Sequence, residues 1–214
     1  MNSKTITVVG VSELHPVEKF EIVPDRIEAG TFLIATAMVG GEIELIDANS
    51  DHLNFVLALL KKVGSQIIIK DGNIRLIAPK EINPTNMVTA PFPGFPTDLQ
   101  AQWMALMTIA NGKSIVKDNV YLDRFTHIAE LSRLGANITL NENIATIIGV
   151  PYLQGAEIMS TDIRASASLI ISALSAEGRS EISRIYHIDR GYEKIEKKFR
   201  MLGAEIWRES EEIK

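Results

Sequence analysis

The feature that most constrains this chain is that it repeats itself. Three segments share one pattern: PDRIEAGTFLIATAMVGGEI from Pro24, PTDLQAQWMALMTIANGKSI from Pro96 and STDIRASASLIISALSAEGRSEI from Ser160. Each has an acidic start, an apolar helical stretch, a glycine and a return to β-branched residues. The leading aspartates, Asp25, Asp98 and Asp162, lie 73 and 64 residues apart. A second pattern follows each of them, reading LLKKVGSQIII from Leu59, ELSRLGANITL from Glu130 and KFRMLGAEIW from Lys198. Its glycines, Gly64, Gly135 and Gly203, are spaced 71 and 68. Lys or Arg in a last helical turn, a glycine just past it and an isoleucine strand next is how helix C-termini are commonly closed.

The two periods agree and define a unit of about 70 residues that reads strand, helix, strand, helix, strand, strand. The expected units are 17–84, 85–151 and 152–214, together one α/β domain. The first helix of a unit is apolar or small almost all round, with no charge between Thr31 and Gly41, whereas a surface helix would show a polar stripe. The first helices are therefore expected inside and the sheets outside. The second helices carry Lys61, Lys62, Arg133, Lys194, Lys197, Lys198 and Arg200 and are expected to show one face to water.

Composition narrows the function classes. With 46% hydrophobic residues and 214 positions the chain can bury a core, so disorder is excluded. A net charge of −5, from 22 Lys+Arg against 27 Asp+Glu, argues against a nucleic-acid-binding protein, which needs a basic excess. Any anion site must be local. The absence of cysteine excludes a disulfide framework, a thiol nucleophile and cysteine zinc ligation. No apolar run approaches the ~20 residues that span a bilayer, and MNSKTITVVG is not a signal peptide, so no membrane partner and a cytoplasmic location are expected.

Small motifs fail on their context. Asn111-Gly112-Lys113-Ser114 looks like the end of a phosphate loop, but Met107 stands where the first glycine belongs and the stretch follows a helix. His15, His52, His127 and His187 show no ligand spacing, so no metal is expected. Asp25, Asp98 and Asp162 are explained as a set by capping of helix starts.

Capping does not explain the arginines. Arg26 and Arg164 fall in the first turn of first helices, and Arg124 and Arg190 at the expected start of second helices, where the helix dipole disfavours a cation. Pairing with neighbouring Asp25, Asp162, Asp123 and Asp189 is one resolution. The other is a multiply anionic ligand, for which arginine forks at helix N-termini are the usual device. The repeat would gather these starts at one end of the domain. Ala90–Gln100, with three prolines and a glycine, runs stiffly into a helix start and would hold Asp98 in a fixed place.

The stretches PDRIEAGTFLIA at Pro24, APFPGFPTDLQAQ at Ala90, RFTHIAELSRLGA at Arg124, TDIRASASLI at Thr161 and IYHIDRGYEKIEKKFRMLGA at Ile185 resemble the C-terminal half of the UDP-N-acetylglucosamine 1-carboxyvinyltransferase (enolpyruvyl transferase) family. The resemblance implies an inside-out α/β prism of three βαβαββ repeats. It also implies transfer of enolpyruvyl from phosphoenolpyruvate to the 3′-hydroxyl of UDP-N-acetylglucosamine in peptidoglycan precursor synthesis, without a cofactor. By motif, Asp98 matches the general base that contacts the sugar hydroxyl and Arg190 a phosphoenolpyruvate-binding arginine. Arg124 and Arg164 would line the same face, with Asp162 toward the reacting centre, Val120 against the UDP-sugar and Arg26 a further motif arginine. Leu122-Asp123 departs from the family's usual Glu-Asn.

The family's Lys-Asn motif and its loop with a reactive cysteine belong to a first half that this sequence does not contain. The resemblance thus implies a chain inactive alone and in need of that missing first domain as partner. The sister enzyme 5-enolpyruvylshikimate-3-phosphate synthase shares the architecture but not PFPGFPTDLQ or IYHIDRGYE. A non-catalytic domain that binds a UDP-sugar or a protein partner is the alternative of a different class.

Overall fold

The computed structural model describes residues 5–209. Three apolar helices form its centre: α1 (Arg26–Val39), α3 (Gln100–Met107) and α5 (Ile163–Ser175) pack on one another. Every residue of α3 is buried, as are Leu33, Ile34 and Ala35 of α1 and Leu169, Ile170 and Ile171 of α5. A buried helix face does not tolerate charge, which is why α3 carries none and the charges of α1 and α5, Arg26, Glu28 and Arg164, are confined to their first turns. Some of their polar residues meet across the helices and at Tyr192. Tyr192 Oη and Thr31 Oγ1 are 2.8 Å apart, and Gln102 Nε2 donates to both at 3.3 and 3.2 Å.

The more polar helices α2 (Asn54–Val63), α4 (His127–Arg133) and α6 (Ile195–Met201) lie outside this trio. Each is followed by a glycine in the left-handed region, Gly64, Gly135 and Gly203 at φ of 115°, 93° and 99°. The next residue's N–H returns to the helix in every case: Ser65 to Leu60, Ala136 to Leu131 and Ala204 to Phe199. Only glycine takes that φ without steric cost, so the repeated glycine is dictated by the closing turn.

Sheets cover the helices. β1 (Glu42–Leu45), β2 (Gln66–Lys70) and β3 (Asn73–Ile77) form an antiparallel sheet in the order β1-β3-β2. In the middle unit β4 (Met87–Val88), β5 (Lys113–Lys117), β6 (Asn137–Asn141) and β7 (Ile144–Ile148) run β4-β5-β7-β6, with β4 parallel to β5. In the third, β8 (Glu157–Met159) and β9 (Glu181–Ser183) pair in parallel. Ala145 and Ile147 of β7 turn inward while their neighbours do not, the alternation of a sheet with one face on a core.

Only the middle unit carries the full expected strand set. The strand expected at the start of unit one is not formed: among the described residues 6–23 none joins a helix or strand, and Ile6, Val8 and Phe20 are 90%, 82% and 81% exposed. The two strands expected after α6 are absent from residues 204–209. Alternating apolar residues provide a sheet face, but a strand also needs a neighbour to take its N–H and C=O groups. Side chains fasten the end of the described chain instead: Arg208 grips Asp189 at 2.6 and 2.9 Å, and Arg200 donates to the Ile206 carbonyl.

Candidate active site

The three repeated aspartates precede the inner helices and do different work. Asp25 is the N-cap of α1, accepting from the N–H groups of Ile27 (2.7 Å) and Glu28 (3.1 Å). Asp162 caps α5 in the same way, accepting from Arg164 N (2.7 Å) and Ala165 N (3.0 Å), and its second oxygen accepts from Thr126 Oγ1. Asp98 caps nothing. It lies within a single 3-10 turn, Thr97–Leu99, whose N-cap is Pro96. Its carboxylate accepts from Arg124 Nη1 at 2.6 Å and faces Arg164 Nη2 at 3.4 Å. Capping therefore accounts for two of the three, and the expectation that it covers the set is corrected.

Arg124 and Arg164 thus come together on one carboxylate contributed by the middle unit. The pairings with sequence neighbours do not occur, because Asp25 and Asp162 face backbone N–H groups and Asp189 is taken by Arg208. Arg124 and Arg190 also lie before their helices rather than in them: α4 begins at His127 and α6 at Ile195. A loop sets the position of Arg124 and the last turn of the 3-10 helix Ile185–Arg190 that of Arg190, so the dipole argument holds only for Arg26 and Arg164. Arg26, the first residue of α1, has its guanidinium 5.0 Å from the ring centre of Phe92, in the proline-rich loop that leads to Asp98. A cation over an aromatic face offsets its unfavourable place in the helix.

The Arg124 guanidinium lies 4.9 Å from the centre of the Tyr121 ring and donates also to Thr97 Oγ1 at 3.3 Å. Val120, beside Tyr121, is exposed. Arg190 is exposed and has no side-chain partner among the described residues; it adjoins Gly191, where an added Cβ would stand 3.8 Å from Arg164 Nη1. Asp98, Arg124 and Arg164 are in direct contact; Asp162 bonds Thr126 in the stretch after Arg124, Arg26 reaches only Phe92 in the loop before Asp98, Val120 lies in the turn before Arg124, and Arg190 makes no side-chain contact with the group among the described residues.

Electrostatics divides the site into a wet rim and a dry floor. Partial burial pushes the Asp98 carboxyl up, but the Arg124 hydrogen bond and the charges of Arg164 and Arg124 outweigh it, so its pKa is lowered. Beneath, His127 is fully buried with Nε2 3.4 Å from Met104 Sδ, and burial, with a smaller push from Arg124 against a pull from Asp162, lowers its pKa to about 4. It is a neutral floor residue. Burial raises the pKa of Tyr192, against the hydrogen bonds of Thr31, Gln102 and Arg164.

One carboxylate was missed by the sequence reading. Asp118, directly after β5, is fully buried. Its Oδ1 accepts from Thr89 Oγ1 (2.6 Å), Val120 N (2.9 Å) and Tyr121 N (2.9 Å), and its Oδ2 from Thr97 Oγ1 (2.7 Å). In the sequence it sits in VKDNV, where a charge between Lys117 and Asn119 reads as a solvated turn; the Asp-x-x spacing to Tyr121 is the only local sign of the Asx turn it forms.

A concavity of about 660 Å³ lies at the other end of α1 and α3, lined by Val39, Gly40, Pro79, Ala110 and Val150 among others. It gathers no acid–arginine cluster, and a chemical site is defined by convergent polar groups rather than by volume. Among the described residues no helix is long and apolar enough to cross a membrane, and no three metal-binding side chains cluster.

The α/β domain has buried helices, sheets outside and two arginines converging on one aspartate, and similarity to known proteins gives its family. The chain belongs to the EPSP synthase (3-phosphoshikimate 1-carboxyvinyltransferase) family, which it matches over residues 1–199. It is 50% identical over 210 residues, 98% of its own length, to the UDP-N-acetylglucosamine 1-carboxyvinyltransferase of Chloroherpeton thalassium, and covers 49% of that protein. The enzyme of that name from Campylobacter jejuni is 50% identical over 196 residues, 92% of this chain and 47% of the relative. The chain therefore spans about half the length of the curated relatives it matches.

Solved structures agree on the fold. The enolpyruvyl transferase NikO from Streptomyces tendae superposes with a TM-score of 0.77 at 24% identity, covering 86% of this chain and 44% of that one. An EPSP synthase from Acinetobacter baumannii gives 0.59 at 15% identity over 76% of this chain and 39% of that one.

Proposed function

We propose that this chain is the arginine-bearing half of an enolpyruvyl transferase that acts on UDP-N-acetylglucosamine and phosphoenolpyruvate, one domain of three units at 17–84, 85–151 and 152–214. The observation that carries the reading is Asp98 held between Arg124 and Arg164. The relatives' names supply the UDP-sugar and the carboxyvinyl group transferred, and the family resemblance supplies phosphoenolpyruvate as its donor. Both substrates are multiply anionic, and both arginines are about four-fifths buried, so their charge is weakly screened.

A carboxylate gripped by two guanidinium groups is a poor base. An incoming phosphate or carboxylate competes for the same arginines, and as they turn to it Asp98 loses the partners that depress its pKa. The free carboxylate then accepts the proton of the sugar 3′-hydroxyl as its oxygen adds to the enolpyruvyl carbon that bears the phosphate and the methylene carbon takes up a proton; loss of a proton from the resulting methyl group and of phosphate restores the double bond. Ligand binding and base activation are one event in this scheme. Arg190, exposed and without a side-chain partner among the described residues, is available to the phosphoenolpyruvate anion. The process belongs to cytoplasmic synthesis of peptidoglycan precursors, with the first domain of the relatives as partner.

The test is phosphate release on mixing the chain with the first half of a relative. Release that requires both substrates and both polypeptides is expected, with the chain alone inactive. Release with shikimate 3-phosphate in place of the UDP-sugar would redirect the reading to the sister enzyme. Binding of UDP-sugar without turnover under all conditions would leave a non-catalytic domain.

A further inference from the structure

A buried carboxylate is costly unless it is well bonded, and Asp118 has no cationic partner at all among the described residues. Two hydroxyls and two backbone N–H groups saturate it. Those four donors come from three separate stretches of chain. Thr89 follows β4, and Thr97 begins the 3-10 turn that carries Asp98. Val120 and Tyr121 begin the turn that leads to Arg124.

Resting on the function proposed above, we propose that Asp118 is the positioning residue that sets Asp98 against Arg124. One carboxylate ties down both members of the pair. Its Oδ2 takes the Thr97 hydroxyl proton, which leaves the Thr97 lone pairs to accept from Arg124 Nη1 at 3.3 Å. Its Oδ1 holds the Val120–Tyr121 turn, and the Tyr121 ring lies against the Arg124 guanidinium. The relay Arg124 to Thr97 to Asp118 runs with every donor pointing the same way. Reversing one link therefore disturbs the next. The backbone at Asp118 is itself fixed: its N–H donates to the Asn143 carbonyl, and Asn143 Nδ2 returns to the Asp118 carbonyl at 2.7 Å.

The geometry provides a discriminating substitution. In Asp118→Asn the amide oxygen keeps all three bonds made by Oδ1, so the Val120–Tyr121 turn and the fold survive. The amide nitrogen stands where Oδ2 was, and Thr97 must accept where it donated. Thr97→Val removes the same branch from the other side. Supplied with the first half of a relative, each variant is expected to lose about 10-fold in kcat with KM for the UDP-sugar nearly unchanged, because displacement of a base by a fraction of an ångström acts on the transition state. The double variant should lose no more than either single one, and Thr97→Ser should regain what Thr97→Val loses.

A second measurement needs only the chain. The ¹⁵Nη resonances of Arg124, resolved while its guanidinium is held, should broaden or merge in Asp118→Asn and Thr97→Val. Turnover in the reconstituted wild type with unchanged kcat in both folded variants would overturn the role of Asp118. So would unchanged Arg124 resonances in both. Absence of turnover in the wild type, with the Arg124 signals altered as expected, would instead count against the proposed reaction while leaving Asp118 as the residue that holds the pair.

Discussion

The starts of α1 and α3 share a proline, an aspartate and an apolar helix, yet put the aspartate to opposite uses. At α1 the aspartate follows the proline directly, stands before the first turn and bends back onto the free N–H groups. At α3 one residue, Thr97, intervenes, and the chain turns a 3-10 step earlier, so that Pro96 takes the cap position and Asp98 lies inside the turn. A carboxylate before a helix faces its axis, whereas one within a turn faces away from it. The lesson is that a cap and a ligand can differ by a single residue of register.

The largest expected effect tests that contrast directly. In the reconstituted enzyme Asp98→Ala should lower turnover by roughly 10²- to 10⁴-fold, the range of a positioned acid or base, while its thermal unfolding stays near wild type. Equal losses of activity in Asp98→Ala and Asp25→Ala would erase the distinction.

The second concerns the dry floor of the middle unit, for which α1 has no counterpart. Burial holds the folded pKa of His127 at about 4, below the 6.5 of a free imidazole. The unfolded chain thus takes up the proton first, and stability present above pH ~6.5 drains away as the pH falls toward ~4. Chemical denaturation should find the chain about 2 kcal/mol less stable at about pH 5 than at about pH 7.5 on this account, and His127→Gln should remove that share of the slope.

Third, Arg124→Lys keeps the charge but loses the planar fork that serves Asp98, Thr97 and the Tyr121 face together, and kcat/KM should drop by roughly 10-fold. Arg26→Lys, at the first residue of α1, should change it by less than about 3-fold, since a lysine still sits over Phe92. The smallest effect is Asp25→Ala, about 1 kcal/mol of stability read from the melting midpoint, with turnover kept.

Much of the architecture was legible because it rests on local chemistry repeated in each unit. The closing glycines, the largely apolar first helices and the basic last turns each follow from a short-range rule, so Gly64, Gly135 and Gly203 could be placed from the sequence. Asp98 and its arginines were legible as residues, through the likeness of their motifs, but not as a triad. Which carboxylate Arg124 and Arg164 would choose depended on packing between units, and the sequence neighbours Asp123 and Asp162 were the wrong partners. Asp118 escaped notice for a related reason: its four donors lie up to 29 residues away, and nothing local marks it as buried. The first strand of unit one and the last two of unit three failed on the requirement for a neighbour, which an alternating pattern does not contain.

Glycine inside a helix ordinarily weakens it, and replacing it by alanine is a standard way to stiffen a protein by about 1 kcal/mol. Gly30, in the middle of α1, reverses that rule. A methyl group there would collide with Leu99 Cδ1, and Leu99 is wholly buried and adjacent to Asp98. The leucine side chain must turn aside in a packed core, and any part of that shift taken up by the backbone reaches Asp98. The helix of one unit is thus a gauge against which the chemical group of the next is measured, and the mark on that gauge is an empty space. In a screen for thermostable variants this position would separate rigidity from activity, because the change that strengthens α1 is the one that throws its neighbour out of alignment.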